Sequence, residues 1–174
     1  MTLPWDYTLT FFTIPELLVT DISAALTASI GGAVDRACVV PAAIAWDHCD
    51  CGALYISANK WFLSETFPTN AQGADTRTTP CELPWLVGEI VIQIMRCAPQ
   101  PQGREIAPTC AALSAAAKIL AVDAYVTLHT ALSTLCGLKE DDIIIDFSFG
   151  EQTASGPEGA CAGSELRVFV AIPR

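Results

Sequence analysis

The sequence predicts an α+β fold, a mostly antiparallel sheet with two long helices packed on one face. Three observations carry that prediction. Residues 83–99 (LPWLVGEIVIQIMRCAP) set Leu86, Gly88, Ile90, Ile92 and Ile94 on one parity and Val87, Glu89, Val91, Gln93 and Met95 on the other. One face of such a strand is apolar and the other mixed, as in a strand packed hard on one side. Beyond Pro99, Pro101 and Gly103, residues 110–137 place Leu113, Ala116, Ala117, Leu120, Ala124, Leu128 and Leu135 on a helical stripe. Shorter alternating stretches lie on either side of this strand–helix unit, with turn residues between them.

The first helix is read from Thr13-Ile14-Pro15-Glu16, with Thr13 as N-cap, Pro15 in the first turn and Glu16 closing a capping box. Leu18, Ile22, Leu26 and then Ser29 or Ile30 form its inward stripe, and Gly31-Gly32 end it. Residues 1–12 read as a leader segment and 13–174 as a single α+β domain. Residues 38–46, interrupted by Pro41, suit an edge strand or bent segment, and 47–52 a turn. Residues 52–68 alternate as a strand ending near Phe67-Pro68. The polar stretch 69–80 (TNAQGADTRTTP) is long enough to be a contact loop. Pro108 and Thr109 open the long helix and Gly137 stops it. Residues 141–149 form a strand, 150–163 a loose turn, and 164–172 the closing strand, with Leu166, Val168 and Val170 facing one way.

The composition excludes several functions. The chain has 174 residues, 52% of them hydrophobic, enough for a substantial core in one domain. No uncharged apolar run is long enough to span a membrane, and the first twelve residues lack the basic start of a secretory signal. Nine Lys plus Arg against 19 Asp plus Glu give a net charge of −10, unsuited to gripping phosphates. No Walker A, dinucleotide fingerprint, Gly-x-Ser-x-Gly or His-Glu-x-x-His motif occurs. His129 lies mid-helix, where a satisfied structural role is expected. His48 neighbours Cys49, but adjacent residues on an extended chain point to opposite faces. The expectation is therefore a protein without catalysis, cofactor or metal.

Eight cysteines complicate that picture. Cys110 and Cys136 bracket the long helix as small hydrophobes. Cys49, Cys51, Cys81, Cys97 and Cys161 fall near strand ends or turns and are the candidates for disulfides. The spacing does not fix their pairing. A cysteine-rich metal-binding domain and a small thiol enzyme stay open as alternatives.

The run 51–69 (CGALYISANKWFLSETFPT), then TPCELPWLVGEIVIQIMRCAP, the Ala/Leu-rich helix and GPEGACAGSELRVFVAI resemble the short neck proteins of actinobacterial long-tailed phages. Cys51-Gly52, Phe67-Pro68, Cys81, Arg96-Cys97-Ala98-Pro99 and Gly156-Pro157 before Cys161 carry the resemblance. The element order is also similar to the lambda-type tail terminator. That family has an N-terminal helix, antiparallel strands, a helix after the longest strand and a final C-terminal strand. The resemblance implies a virion protein of the neck, assembled in the host cytoplasm. It would cap the tail tube as a homo-oligomeric, hexameric ring and join it to the head. Its partners would be the major tail tube protein and the head-closure (stopper) protein. DNA would pass through the lumen without specific binding, and no membrane would be involved. A stopper of the same neck is the nearest alternative. Thr69, Asn70, Gln72, Asp75 and Arg77 are the expected contact loop to the next subunit or ring. Asp75, Glu140, Asp141 and Asp142 are the expected acidic residues of the lumen or rim, since a basic lumen would hold phosphates.

Overall fold

The computed structural model describes residues 7–42, 52–64, 66–68, 85–101, 103, 106–158 and 160–172. The element order is α1 (Tyr7–Thr27), β1 (Arg36–Val40), β2 (Ala53–Ser64), β3 (Trp85–Cys97), α2 (Cys110–Glu140), β4 (Asp146–Glu158) and β5 (Cys161–Ile172). The strands form one sheet in the order β1-β2-β3-β5-β4. Every neighbouring pair is antiparallel except β1 with β2. Both helices lie on one face, so the α+β architecture predicted from sequence is the one observed.

The core follows from side-chain periodicity. Ile14, Leu18, Ile22 and Leu26 recur every four residues along α1 and are fully buried. They meet Leu54 and Ile56 of β2, Ile90, Ile92 and Ile94 of β3, and Leu166, Val168 and Val170 of β5. A β-bulge between Ala58 and Lys60 shifts the register of β2. It turns Trp61 onto the helix side, where its ring covers Gly88 so closely that a Cβ there would lie 2.2 Å from the indole. The same bulge brings Lys60 opposite Glu89 on the other face.

Several expected boundaries move. Helix α1 begins at Tyr7, ahead of the expected cap at Thr13, and carries Pro15 inside it. Proline there omits one intrahelical hydrogen bond, a cost offset by the three buried aliphatics that follow, Leu18, Ile22 and Leu26. The helix ends at Thr27, short of Gly31-Gly32. Single turn bonds such as Ser29 N–H to the Leu26 carbonyl (2.9 Å) then lead to Gly32 at φ +69°. Gly137 does not stop α2, which runs on to Glu140. Its end is set by Asp141 and by Asp142 in the left-handed region at φ +56°. The start is as expected: the Thr109 hydroxyl accepts from the Ala112 N–H at 3.2 Å.

The stretch 150–163, expected as a loose turn, is mostly strand. Gly150, Gly156 and Pro157 lie in β4, where an edge strand tolerates them. The register breaks between Phe149 and Gln152 and again between Ser155 and Glu158. β3 is also more buried than its mixed face suggested. Val87, Glu89, Val91 and Met95, on the side away from the helices, are all buried.

Candidate assembly surface

The site is built around one polar junction. Arg96, next to last in β3, points to the helix side and meets Asp123 of α2, with Nε 2.8 Å from Oδ2 and both side chains almost wholly buried. Its guanidinium also donates to the Gly32 carbonyl (2.7 Å) and the Ala33 carbonyl (3.0 Å). The Ser29 hydroxyl donates to the other Asp123 oxygen at 3.1 Å. The Asp123 carboxylate and the Arg96 guanidinium thus reach each other, the end of α1 and the turn after it. Gly31 and Gly52 leave the room: a Cβ at either would come within 2.8 Å of Asp123 Oδ1 or of Arg96 Nη1.

This junction divides α2. From Asp123 onward its inward positions, Asp123, Thr127, Ala131, Leu135 and Leu138, are buried. Before Asp123 the helix has little to pack on. Cys110–Ala115 are exposed, and Leu113 is 48% exposed although it lies on the inward side. Ala116, Ile119 and Leu120 line an open apolar groove of about 350 Å³ with Ala98, Pro99 and Ala162. Of its most apolar 18-residue window only 11% is buried, and by length and composition the helix could cross a membrane. The outward face carries Tyr125 (67% exposed) and Leu132 (41% exposed). His129 also faces outward, its ring 5.9 Å from that of Tyr125, not in the structural mid-helix role expected of it.

A second open groove, about 520 Å³, separates α1 from the outer edge of β1. Phe12, Leu17, Val19, Ala37 and Val39 line it, with Glu16 the charged residue on its wall. On the face away from the helices a polar row crosses the sheet. Glu89, buried, pairs with Arg167 at 3.0 Å and Lys60 at 3.3 Å. Arg167 also holds Glu165, which accepts from Gln93. Among the described residues no group of three or more His, Cys, Asp or Glu is arranged to hold a metal ion.

The expected site residues are scattered. Thr69, Asn70, Gln72, Asp75 and Arg77 lie outside the described residues, as do Cys49, Cys51 and Cys81. Cys161 is disulfide-bonded. Cys97, also expected to join a disulfide, lies at the exposed end of β3 and stands opposite Cys161 in the ladder. Glu140, Asp141 and Asp142 are exposed together at the carboxyl end of α2. Negative charge there opposes the helix dipole, and Lys139 partly compensates by bridging to Asp146 at 2.8 Å. That lysine holds the Asp146 carboxyl below its ordinary 3.8.

Sequence reasoning passed over Arg96, Asp123 and Glu89. The available signal was a lone aspartate between two runs of apolar helix, which needs a cation when buried. No protein-family model matches the chain, and no curated protein matches it.

Proposed function

We propose that this chain is a structural assembly protein of a long-tailed phage neck, a tail terminator that caps the tail tube as a homo-oligomeric ring. The observation that carries the reading is the element order. An N-terminal helix is followed by strands, a long helix directly follows a long central strand, and a strand closes the order. That is the order the resemblance to lambda-type terminators implies.

Surface chemistry supports an assembly role. Two apolar grooves and the bare half of α2 offer contact area, and among the described strands β1 and β4 are the outer ones of the sheet. A net charge of −10, with Glu140, Asp141 and Asp142 exposed in one turn, suits a subunit that lets DNA slide past. Electron microscopy of particles made without this protein tests the reading. Filled heads and separate, unjoined tails are expected. A normal yield of joined virions would overturn it.

A further inference from the structure

We propose that the outward face of α2 pairs with the same face of a second copy, antiparallel, about a two-fold axis near His129. The face is a seam. Ala111, Ala115, Lys118, Val122, Tyr125, His129, Leu132, Cys136 and Lys139 alternate at spacings of three and four. A repeat of 3.5 residues keeps one stripe of a helix facing a partner helix along its length.

Charge selects the direction. Side by side in parallel, Lys118 would meet Lys118 and Glu140 would meet Glu140. Antiparallel about His129, Lys118 lies alongside the turn from Lys139 to Asp142 of the other copy. That turn holds one cation and three carboxylates (+1 − 3 = −2), and its one cation is already engaged by Asp146. The same arrangement sets Tyr125 against Leu132 and Val122 against Cys136, on either side of the axis. A large aromatic and a leucine at the centre with charges at the rim is the usual anatomy of a protein interface. A two-fold contact is distinct from the head-to-tail contacts that close a ring, so the inference does not rest on the terminator reading.

Sedimentation equilibrium of the intact protein across a concentration series tests it. The wild type is expected to self-associate, and Leu132→Glu to weaken the association at least about tenfold. Lys118→Glu should weaken it roughly threefold, and adding Glu140→Lys should restore most of that loss. All three positions are exposed, and an unchanged thermal melt checks that the variants fold. A strictly monomeric wild type, an oligomer indifferent to Leu132→Glu, or a seam that binds phosphatidylcholine vesicles and not a second copy would each overturn the proposal. A ring that survives Leu132→Glu would overturn it while leaving the terminator reading standing.

Discussion

The two charged clusters on β3 use similar residues and face opposite stakes. On the helix side, Arg96 and Asp123 are both enclosed, so neither can return to water without opening the fold. On the other side only Glu89 is enclosed; Lys60 and Arg167 have side chains 62% and 47% exposed. A buried ion pair recovers its desolvation cost through its partner, so the damage from losing one member depends on whether the survivor can be rehydrated. The first cluster therefore acts as a fixed joint between α1, α2 and the sheet. The second is an anchored acid whose cations are replaceable one at a time.

Substitutions separate the two. Asp123→Ala leaves the buried Arg96 guanidinium without a counter-charge, held by the Gly32 and Ala33 carbonyls, and is expected to cost about 3–5 kcal/mol, read from chemical denaturation. A loss under about 1 kcal/mol would show that Arg96 is served by the Gly32 and Ala33 carbonyls alone. On the opposite face the asymmetry reverses. Glu89→Met should fall within about 1 kcal/mol of the wild type, because both cations it releases can turn to solvent. Removing both cations instead, as Lys60→Met with Arg167→Met, leaves the enclosed carboxylate alone and should cost about 3 kcal/mol. Equal costs for these two changes would break the comparison.

The exposed Lys139–Asp146 pair is the limiting case. Its main cause is the hydrogen bond from Lys139, which lowers the Asp146 carboxyl below 3.8. In the acid window the unfolded chain then binds the proton more readily than the folded one. The stabilisation is complete above the ordinary aspartate range and disappears as pH falls through the lowered value. Lys139→Met should remove this acid-window dependence and cost at most about 0.5 kcal/mol near neutrality, vanishing in high salt.

Much of this architecture was legible before any coordinates. β3 announced itself through its alternation, and Leu18, Ile22 and Leu26 through their spacing, because apolar periodicity is what the sheet and α1 obey. Helix α2 was set on the right face: Leu113, Ala116, Leu120 and Leu135 share the azimuth of the buried Asp123, Thr127, Ala131 and Leu138. What a stripe of aliphatics leaves out is the buried centre of that face, Asp123, Thr127 and Ala131, two polar residues and a small one. Its bare N-terminal half was unreadable for a related reason. Alanine favours helix whether or not anything covers it. The extension of β4 through Gly150 and Gly156 was hidden because both residues punctuate turns as readily as bulges. At the candidate surface, Asp141 and Asp142 were read as the start of a strand and lie instead in the turn after α2, with β4 beginning at Asp146, while Lys118, some twenty residues earlier on the same helix, became visible only once the outward face was known.

The sheet order has a consequence for how the chain is made. β5, made after both β3 and β4, sits between them in the sheet. Until it emerges, among the described strands β4 has no ladder to join and the β5 side of β3 is uncovered, however completely α1, β1 and β2 have assembled. Synthesis thus holds an apolar half-sheet open until β5 is made, and closing it depends on contacts some 60 to 90 residues apart, the slow kind. A nascent chain paused before Cys161 would expose two long strand edges at once, the state in which such chains most readily find the wrong neighbour.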